Sequence, residues 1–149
     1  MSKVGEAVLG GYLGLSTSIV EAEESAVWPL PLQSKEVGVI IQVIGQLEGQ
    51  VICSMELGTA KGIVGRMMGG MTIERMDEMG WSAFQEFGNW IVSGIATELS
   101  QQGIAVNITH PLVQEGAFIL RNMQEYSLVI IETDIGELDI YITLERPAH

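Results

Sequence analysis

Ser82, Glu86 and Asn89 recur at the spacing of one α-helical face in the segment WSAFQEFGNWIVSGIATELS. At roughly 100° of turn per residue, Ser93, Thr97 and Ser100 fall in the same arc. A carboxylate and a carboxamide three residues apart point the same way from a helix. An amide is no general base, but it both donates and accepts hydrogen bonds, so it can hold a water in line with an electrophile. The gain from such a group is positional, as for the water-orienting glutamine of small GTPases. Glu86 is able to pair with a partner's lysine and fix a docking register. Ser82 either tunes that carboxylate or lies at the edge of a contact, and Ser93 extends the same surface. These residues also fit an ordinary solvated helix face, but such a face usually carries Lys and Arg. Here the only charge in the arc is Glu86, the rest is small hydroxyls and one amide, and Glu-x-x-Asn occurs once in the chain.

Other chemistry finds little support. The two histidines, His110 and His149, have no Cys, His or carboxylate at metal-ligand spacing, so no metal site is expected. No Gly-x-Ser-x-Gly elbow, Ser–His–Asp set or P-loop is present. Cys53, in a strand-like run, reads as a buried small hydrophobe and not as a nucleophile. Met67, Met68, Met71, Met76 and Met79 form either core filler, the favoured reading, or an adaptable binding surface. Trp90 lies about 40° from Glu86 around the helix. It is either an anchor for a partner or a residue buried against a neighbouring strand or the first helix.

The elements that must position this arc follow from patterning. The helix carrying it spans Met76 to Gln102, with Trp81, Phe84, Ile91, Val92, Ile95 and Leu99 on the opposite, apolar arc and Gly103 closing it. Before it stand a helix over residues 3–19, an extended stretch over 25–33 with Pro29 and Pro31, a hairpin of Val37–Ile44 and Val51–Met55, and a short helix from Thr59 to Met68. After it come strands over Ile104–Ile108 and Ala117–Leu120, then a second hairpin of Tyr126–Thr133 and Glu137–Leu144, and a tail. The order looks repeated. IGQLEGQVI (44–52) aligns with IETDIGELD (131–139), and LGGY (9–12) more weakly with FGNW (87–90). In the helix alignment Val8 and Gly11 stand where Glu86 and Asn89 stand, so the first helix would copy the shape of the second without its chemistry.

Composition bounds the rest. The 149 residues suit one domain, 1–149, and with 47% apolar and 17% charged residues the chain is globular. No apolar run reaches membrane-spanning length. Val8 to Val20 is apolar, but Glu6, Gly10 and Gly11 and the lack of a cleavage site argue for an amphipathic helix over an export signal. A single cysteine fits a reducing cytoplasm. A net charge of −12, with seven scattered Lys and Arg, excludes nucleic-acid backbones and anionic membranes as partners.

Taken whole, residues 3–144 resemble the CheC/CheX family of chemotaxis phosphatases. The resemblance rests on Ser82-x3-Glu86-x2-Asn89 followed by WIVSGIATELSQQGIAVNITHPLV, on the Gly45-x3-Gly49 hairpin, and on the ETDIGELDIYI ending. It implies an α+β fold, helices on one side of a largely antiparallel sheet, built from pseudo-repeated helix–hairpin halves. It implies a phosphatase acting on the aspartyl phosphate of a CheY-like response-regulator receiver domain. Asn89 would orient the attacking water, Glu86 would contact the receiver's lysine, and Mg²⁺ would come from the receiver, the chain having no cofactor of its own. One motif and not two resembles the CheX type, for which a homodimer is expected. The alternative is a non-catalytic scaffold binding a receiver or a flagellar switch.

Overall fold

Alternation of inward and outward residues in Val37-Gly38-Val39-Ile40-Ile41-Gln42-Val43 makes a strand with one apolar face, and the structure, a computed structural model, places that strand one position in from an edge of the sheet. It describes residues 17–27, 32–33, 35–116, 119–120 and 125–144. In chain order the elements are β1 (Thr17–Val27), β2 (Leu32–Gln33), β3 (Val37–Gly45), β4 (Gly49–Met55), α1 (Leu57–Met67), α2 (Glu78–Gln101), β5 (Val106–Ile108), β6 (Leu112–Glu115), β7 (Ile119–Leu120), β8 (Glu125–Thr133) and β9 (Gly136–Ile142). The main sheet runs β1-β8-β9-β4-β3-β5, with β6 also on β3, and every pairing is antiparallel. β2 and β7 form a separate two-stranded pair.

One face of this sheet carries Val37, Val39, Ile41, Val51, Cys53, Met55, Val129, Ile131, Leu138 and Ile140. Against it lie Ala60, Ile63 and Val64 of α1 and Phe84, Phe87, Ile91, Ile95 and Leu99 of α2, so both described helices cover the same side. Each of these side chains leaves water almost completely, and burial of this apolar area is the main term holding the layers together.

The repeat read in the sequence is visible in the register. With Gly49 aligned to Gly136, Cys53 falls on Ile140, and these two residues are paired across β4 and β9. Their flanks exchange places: Val51 pairs with Ile142 and Met55 with Leu138. Leu32↔Leu120 and Gln33↔Ile119 obey the same relation. A pseudo-two-fold axis therefore passes between β4 and β9, relating hairpin β3/β4 to hairpin β8/β9.

Two readings are corrected. The helix expected over 3–19 does not reach its end, because Thr17, Ser18 and Ile19 begin β1; the remainder of that helix, with its alignment at 9–12, lies outside the described residues, as do 117–118 of the expected Ala117–Leu120 strand and the tail. β-branched Thr17 and Ile19 favour a strand, and β8 supplies the edge they pair with. The chain after Ile108 also returns to the sheet as β6, which the sequence reading left out. β5 and β6 are one edge strand interrupted by a bulge. Ile108 pairs with Val43 and Leu112 with Ile40, so Thr109, His110 and Pro111 oppose only Ile41 and Gln42. Pro111 cannot donate to a ladder, which is why the break falls there.

Candidate functional site

α2 starts where Asp77 stops the chain in an extended conformation and accepts a hydrogen bond from the Gly80 N–H at 2.8 Å through Oδ1. This satisfies one of the free donors of the first turn, and Glu78 places a further negative charge at the positive end of the helix dipole. Phe84, Phe87, Ile91, Ile95 and Leu99 recur at three- and four-residue steps and are buried. The ring of Phe84 packs edge-on against Trp81 at 6.1 Å and tilted against Phe87 at 5.5 Å. These contacts fix which side of the helix faces out.

The side that faces out is the polar arc. Ser82, Glu86, Ser93, Thr97 and Ser100 are exposed and Asn89 is half-buried. The Asn89 Nδ2 amide donates to Glu86 Oε2 at 3.3 Å. That bond joins the two chemistry-bearing side chains and leaves the Asn89 carbonyl oxygen as a hydrogen-bond acceptor. α2 carries Glu78, Glu86 and Glu98 and no Lys or Arg, so the helix itself offers hydrogen-bonding groups and carboxylates but no cation. It can orient a water or pair with a partner's cation; it has no histidine or thiol to abstract a proton. Among the described residues, no group of three or more His, Cys, Asp or Glu side chains is arranged to hold a metal ion. Trp90 is half-buried and packs against the core cluster, so its body serves the fold whatever its exposed edge meets.

A second set of contacts, not found by sequence reasoning, seats this helix. Gln85 Nε2 donates to the backbone carbonyl of Pro111 at 2.9 Å. Gly88 faces the same residue: a Cβ there would lie 3.1 Å from both Cβ and Cγ of Pro111 and 3.2 Å from Cγ1 of Val39. The bulge between β5 and β6 thus delivers a buried proline to the underside of α2. The available signal was Gln85 itself, a polar residue off the polar arc.

Elsewhere, polar groups do structural work. The Lys35 ammonium lies 3.3 Å from Asp139 Oδ2 and 3.9 Å from Glu137 Oε1, and its backbone N–H donates to Ser54 Oγ at 2.8 Å. Burial pushes the Asp139 carboxyl above its ordinary range, against the opposing pull of Lys35. Cys53 is buried and its thiol is pushed up to about 12 by burial, with a contribution from Asp139, so it is inert as a nucleophile near neutral pH. Of the methionines, Met67, Met68 and Met76 pack against the core, whereas Met71 and Met79 are exposed.

A family model described as chemotaxis phosphatase CheX matches residues 37–133, a stretch that runs from the first residue of β3 to the last of β8 and includes all of α2. The chain belongs to the CheX family. The CheY-P phosphatase CheX of Thermotoga maritima is 39% identical over 77 residues, covering 52% of this chain and 50% of that protein. The chain therefore spans about half the length of the curated relative it matches. Among solved structures, the chemotaxis protein CheX from Desulfovibrio desulfuricans superposes with a TM-score of 0.80 at 18% identity, over 97% of this chain and 95% of that one. A CheX–CheY–BeF3–Mg²⁺ complex from Borrelia burgdorferi gives 0.70 at 22% identity, over 97% and 95%. These two likenesses concern the fold, and they agree with the α+β, CheX-like arrangement described above.

Proposed function

We propose that this chain accelerates hydrolysis of the aspartyl phosphate on a CheY-like receiver domain, with Asn89 orienting the attacking water and Glu86 docking to the receiver's lysine. The observation that carries the reading is the pair itself. An amide and a carboxylate, joined by a 3.3 Å hydrogen bond, stand on an open arc of small hydroxyl residues in a chain of the CheX family. The activity in the name of the Thermotoga relative supports it.

In this reading the helix enters the receiver's phosphorylated pocket. Small side chains on either side of the pair allow that approach, and Ser82, Ser93 and the exposed edge of Trp90 border the contact. The Asn89 amide holds a water in line with the phosphorus. The water oxygen bonds to phosphorus as the bond from phosphorus to the aspartyl oxygen breaks. The electron pair stays on the released carboxylate, and the water's proton leaves on phosphate and solvent. An uncharged amide supplies no proton, so its contribution is orientation, for which large rate effects are available. Mg²⁺ belongs to the receiver, a view supported by the Borrelia complex, which contains CheY, BeF3 and Mg²⁺ together. The chain would act in the cytoplasm and as a symmetric homodimer, the commonest closed assembly, checked by analytical ultracentrifugation.

Binding and turnover separate the two residues. Against a receiver held in its phosphorylated form by beryllofluoride and Mg²⁺, Glu86→Ala loses a charge-assisted contact and binds roughly 5–30-fold more weakly, about 1–2 kcal/mol. Asn89→Ala binds within about twofold of the parent. Equal affinity of Glu86→Ala and parent would remove the docking role from Glu86.

A further inference from the structure

Gln85 and Gly88 are three residues apart and meet the same partner, Pro111, from one side of α2. Each immediately precedes a residue of the pair, Glu86 and Asn89. We infer that the bulge between β5 and β6 is a brace that sets the rotation and height of α2, and that Gln85 and Gly88 are positioning residues for the site; this rests on the reading of Asn89 as the water-orienting group.

The geometry makes the brace stiff. The Gln85 amide donates to a backbone carbonyl, not to a mobile side chain. Gly88 and Pro111 are both buried, as is Val39 beneath them. Contacts of 3.1–3.2 Å to a proline ring and a β-branched residue are tighter than ordinary van der Waals contact, so a methyl group at Gly88 pushes the helix and its seat apart by a few tenths of an ångström. The bulge that presents Pro111 is itself tied to β3, where Thr109 N–H donates to the Gln42 carbonyl at 3.0 Å. Helix rotation is transmitted directly to the next residue in sequence. A side-chain tip lies roughly 6 Å from the helix axis, so a turn of about 10° moves the Asn89 amide by about 1 Å, and a misplacement of that size costs on the order of 10²-fold in rate.

The test uses Gly88→Ala and Gln85→Met in the full chain. Alanine is the better helix former, so Gly88→Ala gains intrinsic helix stability that offsets its crowding and the melting temperature stays within a few degrees of the parent. The turnover rate kcat on a phosphorylated receiver falls tenfold or more for Gly88→Ala and severalfold for Gln85→Met, while KM for the receiver stays within about threefold. Adding Pro111→Ala to Gly88→Ala, which removes Cγ of the ring, restores part of kcat. A readout independent of turnover is the side-chain amide resonance of Asn89. It shifts in Gly88→Ala and Gln85→Met, whereas the backbone resonances of β8 and β9 do not. Unmoved Asn89 resonances, or variants that melt early but turn over at the parent rate, would overturn the brace. A parent chain inactive on every receiver, or an Asn89→Ala variant as active as the parent, would overturn the phosphatase reading and leave the resonance result to decide the brace.

Discussion

Gly136→Ala should separate backbone strain from side-chain crowding at the seam between α1 and the second hairpin. Gly136 opens β9 with φ at +137°, a conformation that L side chains rarely adopt. A Cβ there would overlap Thr59 Oγ1 and stand 3.1 Å from Thr59 Cβ. The backbone term is about 1–3 kcal/mol and the overlap adds about 1–3 kcal/mol. Together they predict a loss of about 2–6 kcal/mol. At about 2–4 °C per kcal/mol for a domain of this size, the melting temperature falls by roughly 4–24 °C. Thr59→Ala takes away Oγ1 and Cγ2. In a double-mutant cycle followed by urea unfolding, it should recover about 1–2 kcal/mol of the Gly136→Ala loss and no more, since the backbone term remains. The pseudo-symmetric Gly49 gives the contrast. Its φ is +149°, and its Cβ would overlap the backbone carbonyl of Thr143, so no neighbouring side-chain change can relieve Gly49→Ala. A coupling energy near zero between Gly136→Ala and Thr59→Ala, or a loss below 1 kcal/mol for Gly136→Ala, would refute this account of the seam.

Asp139→Asn tests the buried carboxyl opposite Lys35. Because the folded-state pKa is raised, the neutral form suits the fold, and the stability it contributes is present below the ordinary carboxylate range and lost as pH rises through the raised value. The melting temperature of Asp139→Asn relative to the parent should therefore be higher at pH 8 than at pH 4; a difference that is constant or falls with pH refutes it. Cys53 should resist a thiol-alkylating reagent at pH 8 in the folded protein and react in step with urea unfolding, and rapid labelling without urea would contradict its burial. Arg66→Ala breaks a half-exposed ion pair of 3.2 Å with Asp134, so thermal unfolding should move by no more than about 1 kcal/mol.

Much of the fold could be read from local pattern. Alternation in Val37–Val43 and glycines at the hairpin bends defined both central hairpins, and the 3.6-residue rhythm of Phe84, Ile91, Ile95 and Leu99 defined α2 and so its polar arc. What escaped depends on distant partners. β1 contains Glu21, Glu23 and Glu24, which no strand pattern favours, and β8 alone gives it an edge to pair with. β6 is four residues behind a proline, and its strand character comes from β3. The seat of Gln85 and Gly88 on Pro111 depends on a bulge about twenty residues further along the chain, which no spacing within α2 announces. Trp90, on the border between the arcs, packs against the core and remains half-exposed, a compromise that its angle of about 40° from Glu86 foreshadows.

The central claim is that Asn89 orients the water that attacks a phosphorylated receiver. The direct measurement is the decay of a radiolabelled phospho-receiver with Mg²⁺, alone, with the parent chain and with Asn89→Ala, over a panel of CheY-like domains. The account predicts accelerated decay of at least one receiver by the parent and its loss, to within about twofold of spontaneous decay, with Asn89→Ala at unchanged binding. Full activity of Asn89→Ala would contradict it, and a parent chain that binds a receiver without speeding its decay would make this protein a scaffold.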